Sequence, residues 1–118
     1  MTLSPLAQET QLTAVTRLLN GGTLELYEGR HDDTPLARLT FAATAFHPPA
    51  DGASEAFPLT PEVSASRAGV ASWFRCVMVD GARVLEGSVG HADADLILTD
   101  TTIYPGTRVE IDRFHIEG

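Results

Sequence analysis

The stretch Gly69-Val70-Ala71-Ser72-Trp73-Phe74-Arg75-Cys76-Val77-Met78-Val79 constrains the fold more than any other part of this chain. β-Branched and aromatic residues dominate it. Read with period two, it carries Val70, Ser72, Phe74, Cys76 and Met78 on one face and Ala71, Trp73, Arg75, Val77 and Val79 on the other. Both faces are largely apolar, so a strand here has to be covered on both sides. Asp80-Gly81 follows and matches a two-residue type I′ turn, leading the chain back as Ala82–Val89. The remaining segments must therefore supply layers around a central hairpin.

Most of them read as further strands. Thr23–Glu28 and Leu36–Ala42 alternate apolar and polar residues, and Gly29–Pro35 between them holds turn formers and charges. Phe46 to Pro61 contains Pro48, Pro49, Pro58, Pro61 and Asp51-Gly52, which predicts a loop with at most a short edge strand near Phe57. Asp93–Leu98 and Thr107–Ile116 complete the set, divided by a turn around Tyr104-Pro105-Gly106. In the last of these, Val109 and Ile111 have the opposite parity to Phe114 and Ile116, which predicts a β-bulge near Asp112-Arg113. Only Ser4 to Asn20 has helical spacing: Ser4-Pro5 opens it, Gly21-Gly22 stops it, and Leu12, Val15, Leu18 and Leu19 form one stripe. The expected fold class is all-β, an antiparallel β-sandwich or jelly roll of seven or eight short strands with one short N-terminal helix. At 118 residues the chain fits one such unit, read as a helical arm over 1–22 and a β domain over 23–118.

Charge narrows the function. With 8 basic against 16 acidic side chains the net charge is −8, and no Lys/Arg cluster occurs, so nucleic acid and anionic membranes are excluded as expected partners. No basic region precedes an apolar run at the N-terminus and no apolar stretch reaches about 20 residues, so neither a signal peptide nor a membrane span is expected. The one cysteine, Cys76, lies in the apolar run and reads as a small buried hydrophobe, which fits synthesis in the cytosol.

Reactive constellations are sparse. In His91-Ala92-Asp93-Ala94-Asp95, period two would put His91, Asp93 and Asp95 on one face as metal ligands, but a solvated strand edge has the same look, so no metal is assigned. His31-Asp32-Asp33 reads as a turn. No nucleophile signature surrounds Cys76 or any serine with His31, His47, His91 or His115 as base, and Glu25, Glu28, Asp80 and Glu110 read as solvent-facing. No phosphate-binding glycine loop is present, so no catalytic residue and no cofactor is expected, and the chain is read as a non-enzyme. Arg75 inside an apolar run requires a carboxylate partner or an interface, and Trp73 is expected to anchor packing between sheets. The side chains expected to contact neighbouring subunits are Leu12, Val15 and Leu19 of the helix, Phe46 and Phe57 of the Pro-rich loop, and Arg75.

The order of motifs resembles small phage and prophage virion proteins encoded near head genes. The pieces that carry the resemblance are Leu18-Leu19-Asn20-Gly21-Gly22-Thr23-Leu24, Leu26-Tyr27-Glu28-Gly29, Leu39–Phe46 and Gly69-Val70-Ala71-Ser72-Trp73-Phe74-Arg75. Asp80-Gly81, Glu86-Gly87-Ser88-Val89-Gly90, Ala94-Asp95-Leu96-Ile97-Leu98, Ile103, Gly106 and Val109 to Phe114 continue it. This chain departs in being more acidic and in carrying His91 and Asp93. The resemblance implies a virion structural component, and within that class a capsid decoration or cement protein on the outer head surface. Its partner would then be the major capsid protein, and it would form a homo-oligomer, a trimer or dimer. A −8 chain avoids packaged DNA there. A tail-tip, neck or baseplate component is the alternative, and a host-glycan binding module ranks below it.

Overall fold

The computed structural model describes residues 4–31, 34–50, 53–61, 68–105, 109 and 111–117. Asp32, Asp33, Asp51, Gly52, Gly106, Glu110 and the expected strand start at 107–108 lie outside the described residues.

The single helix, α1 (Pro5–Leu18), is capped by Ser4, whose Oγ accepts from the Ala7 amide at 3.2 Å, with Pro5 supplying a preset first turn. Gly21, at φ +68°, ends it. Its buried side chains are Leu12 and Thr16, followed by Leu19 just past the end, whereas Leu18 is 47% exposed.

Among the described residues ten strands follow: β1 (Thr23–Tyr27), β2 (Ala37–Thr40), β3 (Ala53–Glu55), β4 (Thr60–Pro61), β5 (Gly69–Val70), β6 (Trp73–Val77), β7 (Arg83–Gly90), β8 (Leu96–Leu98), β9 (Thr102–Ile103) and β10 (Ile111–Glu117). Eight form one sheet in the order β3-β10-β8-β7-β6-β1-β2-β4, and β5 pairs with β9 apart from it. Among the described residues every pair is antiparallel except β7 and β8, which run parallel with Val89 opposite Leu96 and Gly90 opposite Ile97. The expectation of a purely antiparallel architecture is corrected at that point. The bulge expected near Asp112-Arg113 is present, as a register shift between Ile111 and Arg113.

The long apolar run does not form one strand. Residues 69–70 pair with β9, the Ala71 amide donates to Thr101 O, the Ser72 amide to Tyr27 O, and only then does β6 join β1 and β7. The run passes between two sheets because consecutive amides find different partners. The hairpin after it is as expected, but its turn is not type I′, which needs a positive φ at both central residues. Of Asp80 and Gly81, only Gly81 has one, at +91°. The Gly81 amide donates to Met78 O and the Met78 amide to Ala82 O, a wider turn with Gly81 as its left-handed residue.

On the core-facing side, Leu24 stands opposite Cys76 and Leu26 opposite Phe74. Phe74, and not its neighbour Trp73, is the aromatic anchor: Phe74 is 2% exposed and Trp73 is half-buried on the opposite face. Phe114 of β10 lies 5.3 Å from the Phe74 ring, 5.7 Å from Phe46 and 6.4 Å from Phe41. β10 and β2 stand near opposite ends of the strand order, so rings following β2 can reach β10 only because the sheet curls. Backbone bonds complete the curl, the His47 amide donating to Glu55 O and the Phe57 amide to Ala45 O. The fold is thus mostly strands with one helix on a curled, predominantly antiparallel sheet. Among the described residues no helix is long and apolar enough to cross a membrane.

Two measurements test this core. Phe114→Ala removes the ring shared by three others and is expected to cost about 3–5 kcal/mol in denaturant unfolding. Burial pushes the Cys76 thiol up from its ordinary 9.0, with the Glu25 charge adding to the effect. Burial likewise raises the Tyr27 phenol from 10.0, reinforced by its hydrogen bond to Glu25. Above pH 9.0 the unfolded chain therefore sheds protons that the native state keeps, so stability falls as pH rises through this range. The slope should approach about 1.4 kcal/mol per pH unit for each group, and Cys76→Ala should flatten it between about pH 9 and 10.

Candidate functional site

On the outward face of β1, β2 and β6, polar residues and aromatic rings interlock. Glu25 accepts from the Tyr27 hydroxyl at 3.0 Å and from Arg38 Nε at 3.1 Å, so it is a tie between strands and not simply solvent-facing. Arg75, 8% exposed, stands opposite Glu25 and Glu86 in the strand register. Its guanidinium lies 4.2 Å from the Tyr27 ring centre, and its Nη2 donates to Arg30 O at 2.6 Å. Arg30 in turn sits over Trp73 at 5.2 Å. Residues 28–31 are thereby strapped across the sheet, helped by the Ser72 hydroxyl donating to Glu28 O.

The expected contact residues fall mainly inside the molecule. Leu12, Leu19, Phe46 and Arg75 are all buried against other parts of the same chain, so any surface they were expected to present belongs to other side chains. Val15 and Phe57 are half-buried, and the Phe57 ring stacks on His47 at 3.7 Å. Among the described residues the exposed large apolar side chains are Leu6, Leu18, Val70, Val79 and Tyr104.

The face proposed for His91, Asp93 and Asp95 does not form. Residues 91–95 are a bend and not a strand, Asp93 takes a left-handed φ of 53°, and the alternation that would have aligned the three is lost. Among the described residues no three His, Cys, Asp or Glu side chains are grouped to hold a metal ion. Asp95 has a different task. Its Oδ2 accepts from the Ser88 amide at 3.1 Å and from the Ser88 hydroxyl at 3.2 Å, and its own amide donates to Ser88 Oγ at 3.1 Å. This clasp turns the chain back so that β8 can lie parallel to β7 after the short connection 91–95, where parallel strands ordinarily need a crossover of about a dozen residues.

The clasp also borders a recess among the described residues. A cleft of about 450 Å³ has Phe74, Leu85, Phe114 and Ile116 as its apolar lining, with Ala94, Glu86 and Asp95 completing it. Phe74 and Phe114 are buried and Asp95 is exposed, so the rings form the floor and Asp95 stands at the rim, whereas the register with Arg75 turns the Glu86 side chain to the outward face. Gly87 keeps this arrangement compact: a Cβ there would stand 2.6 Å from Asp95 Oδ2 and 2.8 Å from Phe74 Cε1. Volume and lining both match a small-ligand or side-chain site. Sequence reasoning passed over Leu85, Glu86, Ala94 and Ile116. The available signal was a lone glycine inside a strand, Gly87, which marks close approach of another group.

Cys76 is fully buried as an un-ionised thiol behind Leu85, its cross-strand neighbour, while His31, His47 and His91 are exposed. The cleft therefore offers shape, apolar area and negative charge. Gly87→Ala should lower stability by about 1–3 kcal/mol through overpacking, and Asp95→Ala by about 1–3 kcal/mol through loss of the clasp, both read from denaturation midpoints. No family model, no curated protein and no solved structure matches this chain.

Proposed function

We propose that this chain is a virion structural protein that decorates the outer capsid surface and bridges neighbouring copies of the major capsid protein, acting through binding and not catalysis. The observation that carries this reading is the placement of exposed apolar residues. Val70 is 51% and Val79 79% exposed, and they flank the two ends of β6, whose five residues span about 16 Å. Leu6 is 74% exposed on the helix and Tyr104 56% just after β9. Apolar contact points at separated places suit a protein that joins two neighbours better than one that buries a single patch. The resemblance of its motifs to small virion proteins and its charge of −8 agree with a place outside the DNA-filled shell.

In this reading the curled sheet is a jelly-roll-like sandwich, its two layers meeting at Phe41, Phe46, Phe74 and Phe114. Closed trimers or dimers at capsid symmetry axes would place many weak contacts in parallel, which multiplies their effect. The protein would be made in the host cytoplasm and end in the particle.

Purified particles should contain this chain at a copy number comparable with that of the major capsid protein, measured by quantitative mass spectrometry. A handful of copies per particle would move it to the tail tip, neck or baseplate, and absence from particles would end the virion reading.

A further inference from the structure

Asn20 is the only asparagine of the chain, and Gly21 follows it directly. That pair can react with itself, which is one source of the thermal lability of asparagine. Once solvent base has removed its proton, the Gly21 nitrogen, with no side chain beside it to obstruct approach, adds to Asn20 Cγ. The new N–Cγ bond closes a succinimide ring, the Cγ–Nδ2 bond breaks, and Nδ2 leaves as ammonia with a proton taken from water. Water then opens the ring at either carbonyl. Cleavage of Gly21 N from Cγ leaves aspartate; cleavage of Gly21 N from the backbone carbonyl carbon leaves isoaspartate, whose main chain is longer by a methylene.

In the fold both reacting groups are occupied. The Gly21 amide donates to Ala42 O at 3.0 Å, which shields its proton from base, and Asn20 Oδ1 accepts from the Ala45 amide at 2.9 Å, which fixes the direction of Cγ. The neighbours leave no slack. Leu19 is fully buried on one side; on the other a Cβ at Gly22 would stand 2.3 Å from Val77 O, and Gly22 O accepts from the Phe41 amide. We propose that Asn20 is a modification site gated by folding: the native junction between α1 and β1 preserves its side-chain amide, and opening of that junction lets it convert to aspartate and isoaspartate. Isoaspartate then marks the chain permanently, because the lengthened backbone no longer fits between Leu19 and Gly22. Aspartate keeps an oxygen for the Ala45 amide, so that product refolds.

The full-length chain, held at mildly alkaline pH in native buffer or in denaturant, provides the test. Conversion of amide to acid changes the mass of the tryptic peptide Leu18–Arg30, which contains no other asparagine and no glutamine. Asp80-Gly81 can form the same ring, but it loses and regains water with no change in mass. The denatured chain should convert at least about a hundredfold faster than the native one. A smaller ratio, or no conversion in denaturant, would overturn the proposal. Converted chains are then returned to native buffer beside Asn20→Asp, which should melt about 2–5 °C below the unmodified chain because an acid at a helix C-terminus opposes the dipole. The aspartate product should melt with Asn20→Asp, and the isoaspartate product well below it or without a cooperative transition. An isoaspartate chain that melts with Asn20→Asp would mean that the junction has room for the extra methylene, and the proposal would fall.

Discussion

Phe114 is the residue on which the shape of the molecule depends. It belongs to β10, yet its ring meets Phe74 from the middle of the sheet and Phe41 and Phe46 from the chain beyond β2. A flat eight-stranded sheet would hold those residues strand-widths apart, at about 4.8 Å for each step. Bringing them together requires the strong twist and curl that let one sheet cover its own inner face, so that no second layer of helices is needed. The single helix then has a lesser part, closing over one end with Leu12 and Leu19.

The cleft is a by-product of how that curl is finished. β7 pairs with β6 along most of its length and, at its end, turns through 91–95 to bring β8 alongside in parallel. The Ser88–Asp95 clasp holds the turn, and Gly87 lets Phe74 and Asp95 both close in on the space a side chain would fill. A carboxylate that serves the backbone is thereby placed beside an aromatic floor. The residue that closes the turn thus also sets charge next to apolar surface without burying it.

Much of this was legible from residues alone. The helix ends, the β6–β7 hairpin, the bulge near Asp112-Arg113 and the all-β character follow from caps, turn residues and parity, which are local signals. What was not legible depended on partners distant in sequence. The run at 69–79 looked like one strand because its residue types allow it; its division follows from Thr101 and Tyr27 competing for its amides. Trp73 and Phe74 are adjacent, and nothing in composition says which faces inward; the register with Leu26 decides it. His91, Asp93 and Asp95 were aligned on the assumption of a strand, and a left-handed φ at Asp93 removes the alignment. The cleft brings together residues from β6, β7, the following turn and β10, a juxtaposition that no spacing rule encodes.

The only tryptophan of the chain lies outside the core, beneath Arg30 and beside the strap of residues 28–31. Its emission therefore responds to the lifting of that strap, whereas far-ultraviolet dichroism follows the strands. The two optical signals watch separate events in this molecule, and coincidence between them would mean that strap and sheet let go as one cooperative unit.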